Sequence, residues 1–338
     1  MAQLANFFRT TTIAALLAAA VPQAGSAHQP GDFGQYLQGF SLGVPAAAPP
    51  AGIYFSNTMA IGIANTGYGQ NDTTKVNAVV DIATIVWATG WKFLGADVVM
   101  SAYQPGFWVG VYGPGVAPPF TGRTSFPTVH NTAVNPLTLS WNLGQGWFAS
   151  AGFTAYIPDG TRYQGTLNPD YWTFEPNFAL SYLGDGWDLT VRFIYDFNTA
   201  SRGLTGPIGG FAGLMPFARG YKSGDQAFVD LTATKKFGKW ELGPLASFKW
   251  QTTSDQPGSG LSCARLAAAT ANGFTCGDQT NMAVGALVGY QFDTANLQVF
   301  LMRSVYTKDD YGGLSVWSRL SFKLWGPDAP AKPLSVKY

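Results

Sequence analysis

Side chains that could do nucleophilic or acid–base chemistry are few and scattered. The 338 residues hold two histidines, His28 and His130, and two cysteines, Cys263 and Cys276. A hydrolase needs a nucleophile beside a base that a third group orients. His130 is the one usable base. It falls in 105–133, a stretch read as loop, and a serine from a strand end would have to meet it. A lipase- or protease-like enzyme is therefore the alternative reading and not the leading one. No short-spaced Cys/His set suggests zinc, and no cofactor or metal is expected. The 20 cations and 19 carboxylates leave a net charge of +1. They lack the basic cluster of a nucleic-acid binder, so no nucleic-acid partner is expected.

The elements that hold these residues must suit a chain with little charge. Charged residues make up 12%, against about 25% in a soluble domain. Mean hydropathy is nevertheless only +0.05, because 41 glycines and many uncharged polar residues dilute the apolar ones. An aromatic share of 15% argues against disorder. Beyond the N-terminus no apolar run reaches the roughly 18 residues of a membrane helix.

Residues 1–27 have the outline of a secretory signal peptide: Arg9, an apolar stretch 13–21, Pro22, then Gly25-Ser26-Ala27. The exported remainder would meet an oxidising compartment, where Cys263 and Cys276 are expected to pair. Residues 28–50 are rich in Gly, Pro and Ala and show no periodicity. They form either a lumen plug anchored by Phe33, Tyr36 and Phe40 or a loose periplasmic tail. The barrel proper is expected over 51–326, with a C-terminal tail at 327–338.

From residue 52 to 325 apolar and polar residues alternate with the period of a strand. Trp172, Phe174, Phe178, Leu180 and Tyr182 share one face, and Thr173, Glu175, Asn177 and Ser181 the other. After Gly184-Asp185-Gly186 the alternation resumes with Trp187, Leu189, Val191 and Phe193. Twelve strands are predicted, at 52–64, 76–88, 95–104, 134–143, 147–157, 172–183, 187–197, 225–237, 240–252, 281–292, 297–306 and 314–325. Short connections alternate with longer ones at 65–75, 105–133, 158–171, 198–224, 253–280 and 307–313. That is the pattern of a transmembrane antiparallel β-barrel with short periplasmic turns and long extracellular loops. Trp87, Trp91, Trp141, Trp147, Trp187, Trp240 and Trp325 lie at the short-turn ends and read as an aromatic girdle. A soluble sandwich or lipocalin-like barrel alternates too, but turns charges outward. Here the polar face is mostly Ser, Thr, Asn and Gly. The expected fold is therefore all-β, in the outer membrane of a Gram-negative bacterium, with lipid as a partner and the oligomeric state open.

With apolar faces outward, the inward set is Asp81, Asp97, Glu175, Asn177, Arg192, Asp196, Asp230, Glu241, Lys249, Arg319 and Lys323. Hairpin register puts Asn177 opposite Arg192. The set reads as an ion-paired network stiffening a narrow barrel or, more sharply, as a selectivity ring. Pro176 and Pro244 each remove a ladder hydrogen bond. Such a weak seam would let a hydrophobic solute leave sideways if the lumen is plugged.

Several runs occur together: Pro136-Leu137-Thr138-Leu139-Ser140-Trp141, Tyr156-Ile157-Pro158-Asp159-Gly160, Tyr171-Trp172-Thr173-Phe174-Glu175-Pro176, Tyr195-Asp196-Phe197-Asn198 and Tyr221-Lys222-Ser223-Gly224-Asp225. Their order and spacing resemble the outer-membrane family named for the meta-pathway of phenol degradation, over roughly residues 28 to 325. The resemblance implies a transporter, with small hydrophobic, aromatic compounds as expected cargo. The loop holding Cys263 and Cys276 and the Pro-rich tail depart from that family's pattern. A structural or adhesive barrel is the third reading, with contacts made by the long loops.

Overall fold

A computed structural model describes residues 34–66, 75–112, 124–161, 169–201, 220–256, 258, 279–308 and 310–327. Its strands are β1 (Gly52–Thr66), β2 (Lys75–Phe93), β3 (Ala96–Tyr112), β4 (Thr124–Val129), β5 (Thr132–Gly144), β6 (Trp147–Ile157) and β7 (Thr173–Gly184). They continue with β8 (Trp187–Asn198), β9 (Gln226–Phe237), β10 (Trp240–Gln251), β11 (Thr280–Gln291), β12 (Ala295–Lys308) and β13 (Tyr311–Trp325). Every neighbouring pair is antiparallel, and β13 returns to pair with β1. β4 and β5 are two pieces of one stave, both paired with β3. The result is a closed twelve-stranded barrel.

The break between β4 and β5 has a local cause. His130 donates its backbone N–H to the carbonyl of Pro105 at 2.8 Å. Pro105 has no N–H to return. Gln104 Nε2 takes that place and donates to the His130 carbonyl at 2.6 Å. The stretch 105–133, expected as one long loop, is thus partly strand. β3 runs on to Tyr112, and β4 runs back beside it. The 307–313 connection is shorter than expected too, since β12 ends at Lys308 and β13 starts at Tyr311.

Short turns set the register at the other end. Leu94-Gly95, Gln145-Gly146 and Asp185-Gly186 hold positive φ at both positions, from 50° to 82°. Two such residues make a type I′ turn, whose twist matches that of the strands. In the β7–β8 hairpin Gly184 therefore pairs with Trp187, and Ala179, not Asn177, stands opposite Arg192. Arg192 reaches Asn177 diagonally, Nη1 to Oδ1 at 3.3 Å.

Alternation gives the barrel an apolar outside. Met59, Ile61, Ile85, Phe178, Val191, Val284, Val299 and Val316 are all exposed. An apolar belt around every stave is what hydrocarbon requires of a spanning barrel. Trp87, Trp91, Trp147, Trp187, Trp240 and Trp325 are exposed close to the short turns. Trp141 lies among them and donates Nε1–H to the Leu94 carbonyl at 3.0 Å.

Candidate functional site

The inward face is not uniformly polar. Along β6–β10 it carries Ser150, Thr154, Glu175, Asn177, Ser181, Asp188, Thr190, Asp230, Thr232 and Ser247, all buried. Along β10–β13 and β1–β3 a buried apolar cluster replaces them, formed by Leu245, Leu287, Phe300, Met302, Trp317, Ala60, Val80, Ile82 and Phe107. The expectation of a wholly polar inward face fails on this side. Strands apolar on both faces show no alternation, so parity could not reveal the cluster.

Residues 34–50 lie against this interior. Leu42 is fully buried in the apolar cluster, with Leu37 and Phe40 packed on it. The segment descends through three tight turns: Phe40 N–H to Leu37 O, Leu42 N–H to Gly39 O, and Val44 N–H to Ser41 O, at 2.8 to 3.1 Å. At Gly43 the chain passes so near the wall that a Cβ would stand 2.9 Å from Leu287 Cδ1, and φ there is +73°. Glycine fits both constraints. Gln35 donates to the carbonyl of Tyr171, just before β7. Ala46 and Ala48 bond with Ser140 and Ser181, low on β5 and β7. The segment thus runs from the long-loop end toward the short-turn end.

Four of the predicted inward charges, Arg192, Asp196, Asp230 and Arg319, meet this segment. Tyr36 Oη donates to Asp230 Oδ2 at 2.6 Å, and Ser41 Oγ to the same oxygen at 2.7 Å. Ser247 Oγ supplies Asp230 Oδ1 from β10 at 2.5 Å. Asp196 Oδ2 accepts the Tyr36 N–H at 3.4 Å. Arg192 reaches the carbonyls of Val44 and Pro45. Arg319 donates Nη1–H to Leu42 O at 2.6 Å and Nη2–H to Phe40 O. Its guanidinium lies 5.9 Å from the Phe40 ring centre and 5.8 Å from that of Phe300. Glu175 accepts from Tyr156 Oη at 2.6 Å, and Tyr156 Oη meets Tyr103 Oη at 2.7 Å. Glu241 accepts from Thr234 at 2.6 Å. Lys249 forms a buried ion pair with Asp310 at 3.1 Å.

Three of the predicted residues stand apart. Asp97 pairs with Lys92 at 2.6 Å beside the β2–β3 turn. Lys323 bonds the Pro327 carbonyl at the same end of the barrel. Asp81 faces outward, which corrects its inward assignment. Val80 and Ile82 on either side are buried, whereas Ile85 and Trp87, of Asp81's own parity, are exposed. Its partner is Asn57 Nδ2 on the same outer face. His130 is buried with its ring 5.0 Å from that of Phe107. Phe33, Cys263 and Cys276 lie outside the described residues.

Fold and lumen define an outer-membrane β-barrel whose interior is occupied by its own N-terminal segment. The chain belongs to the family described as "Putative MetA-pathway of phenol degradation", whose model matches residues 58–320. It is similar in structure to an outer-membrane channel of Pseudomonas putida F1, with a TM-score of 0.64 and 11% identity, covering 83% of this chain and 98% of that one. A monoaromatic hydrocarbon channel, TodX, aligns with a TM-score of 0.40 and 11% identity, over 89% and 99% of the two chains. The translocator domain of the autotransporter NalP of Neisseria meningitidis aligns at 0.43 and 12%, over 82% and 90%. No curated protein sequence matches the chain.

Proposed function

We propose that this protein is an outer-membrane channel for small hydrophobic compounds, aromatic ones included, and that residues 34–50 plug its lumen against free ion flow. The apolar half of the inward face carries this reading. A water-filled porin has a polar interior, whereas here Phe107, Phe300, Trp317 and Leu287 are turned inward. Such a surface, packed here against Leu42, Leu37 and Phe40 of the segment, favours solutes that gain by leaving water. The family description, with its reference to phenol degradation, supports the same solute class. Asp230 and Arg192 on the polar half and Arg319 on β13 hold the segment, so these charges serve anchoring and not a selectivity ring.

Reading the barrel as an enzyme draws no support from His130, whose ring is packed on Phe107 inside the wall. The test of the channel reading is uptake of phenol at limiting concentration by cells with and without the gene. Slower uptake in the deletion strain, restored by the gene, is expected; equal rates overturn the reading. For the plug, deletion of residues 34–50 should raise ion conductance in planar bilayers. Unchanged conductance in a folded barrel counts against it.

A further inference from the structure

A cavity of about 180 Å³ lies inside the barrel, between the N-terminal segment and β1 and β10–β13. Gln38 lines it from the segment side, with its amide donating to the carbonyls of Ser247 at 3.1 Å and Asn281 at 3.2 Å. On the wall side Gly62 and Ala64 of β1 pair with Ser315 and Gly313 of β13. These four inward positions carry almost no side chain, so the space between segment and wall stays open. Met302, from the apolar cluster, lines it as well.

Charge is missing from this lining. The lumen holds Asp230, Arg192, Lys249 and Arg319, yet among the described residues no Asp, Glu, Lys or Arg borders the cavity. A charged ligand would lose its water there without gaining a counter-ion. Side-chain hydroxyls remain. Ser315 Oγ accepts from Trp317 Nε1 at 2.9 Å, which leaves its own proton to donate. A thioether such as that of Met302 makes favourable contact with ring edges. A cavity of about 150 Å³ in another protein takes up benzene, so one aromatic ring fits the space here.

We propose that this cavity is a binding site for a small uncharged aromatic molecule with one hydrogen-bonding oxygen, with the ring against Met302 and the oxygen at Ser315. The proposal rests on the channel reading and gives it a stopping point inside the lumen.

The test uses the full chain in detergent, with 4-fluorophenol, fluorobenzene and 4-fluorobenzoate followed by fluorine NMR, and empty micelles to correct for partitioning. Gly62→Leu is the filling variant. A Cβ at residue 62 meets nothing closer than Ser315 Cβ at 3.7 Å, so the new side chain projects into the cavity without moving the backbone. Gel mobility with and without heating reports whether the barrel has folded; if Gly62→Leu does not fold, Ala64→Leu takes its place. Saturable 4-fluorophenol binding is expected in the wild type, weakened about tenfold or more by the filling variant, which corresponds to about 1.4 kcal/mol. Ser315→Ala should weaken 4-fluorophenol binding and leave fluorobenzene unchanged. Binding equal in wild type and a folded filling variant overturns the proposal. So does the absence of saturable binding, or 4-fluorobenzoate binding as well as the phenol. Phenol uptake by cells separates the two ideas. Uptake without cavity binding sinks the site and leaves the channel reading standing, whereas cavity binding without uptake sinks the channel reading alone.

Discussion

Arg319 and Leu42 are joined at 2.6 Å by a bond from a guanidinium N–H to a backbone carbonyl. A cation on β13, deep in the barrel wall, thus reads the backbone of the N-terminal segment and not a carboxylate. No ion pair of Arg319 or Arg192 occurs among the described residues, although Asp230, Asp196 and Glu175 share the lumen with them. Arg192 and Asp230, register partners on β8 and β9, approach the segment from one side of the barrel, and Arg319 on β13 approaches it from another. Their common effect is to hold residues 36–45 in place.

Replacing Arg319 should therefore loosen the segment before it damages the wall. Hydrogen bonds from charged groups contribute roughly 1.5–3 kcal/mol each. Arg319→Ala also leaves the Leu42 and Phe40 carbonyls unserved, so a loss of about 2–4 kcal/mol is expected. Urea unfolding in liposomes checks the stability, and single-channel recording should show larger or noisier current. Arg319→Lys keeps the charge but not the planar fork that serves two carbonyls, and should fall between the two.

Asp230 is the matching anchor on the other side. Its two oxygens accept three hydroxyls, from Tyr36, Ser41 and Ser247. Tyr36→Phe removes one donor but keeps the ring packed at 4.8 Å from Phe228, so a loss of about 1–2 kcal/mol is expected. Asp230→Ala strands all three donors in the buried lumen and should cost more. The two variants compared by thermal unfolding give the ranking; equal effects would mean that the hydroxyls are re-solvated.

The short turns outside the bilayer offer a pH test. Lys239 and Asp293 meet at 2.7 Å across two neighbouring turns. The hydrogen bond from Lys239 holds the Asp293 carboxyl below its usual range, and Asp293 raises Lys239 in return. The aspartate's contribution is present above its ordinary unfolded value and fades as pH falls through the lowered one. The lysine's is present below its ordinary value and fades as pH rises through the raised one. Stability should thus be flat across neutral pH. Both groups are exposed, and exposed pairs contribute little. Asp293→Asn should give an unfolding midpoint close to wild type from about pH 5 to pH 9; a wide gap would show a role beyond the pair.

Alternation made the fold legible wherever one face was clean, as in β7 and β8, where Phe174, Phe178 and Val191 face out and Glu175, Thr190 and Asp196 face in. It failed where both faces are apolar. β2 carries Val79, Ile85 and Trp87 on one side and Val80 and Ile82 on the other, so Asp81 could not be assigned by its neighbours. The inner cluster around Phe300 and Trp317 was hidden for the same reason. Residues 34–50 have no periodicity at all, and their partners lie on strands 92 to 279 residues away. Only the aromatic anchors Tyr36 and Phe40 hinted that the segment was packed.

Asp81 sits on the outer face of the barrel with Asn57 as its partner. It pairs in register with Met59, midway along β1, and faces the side that meets hydrocarbon. Its bond from Asn57 satisfies one carboxylate oxygen. Charged residues on the lipid face are destabilising, by about 2–4 kcal/mol for Arg or Lys at the midplane and less for Asp. Asp81→Leu should therefore stabilise the folded barrel by about 1–2 kcal/mol in liposomes, and more than the same change at Asp230, which should destabilise it. Asn57→Ala alone should destabilise, because it leaves the carboxylate without its donor. If Asp81→Leu stabilises the protein and leaves phenol uptake unchanged, the outward pair has no part in transport. If it stabilises the barrel and slows uptake, the costly polar pair belongs to the solute's route through the wall between β1 and β2.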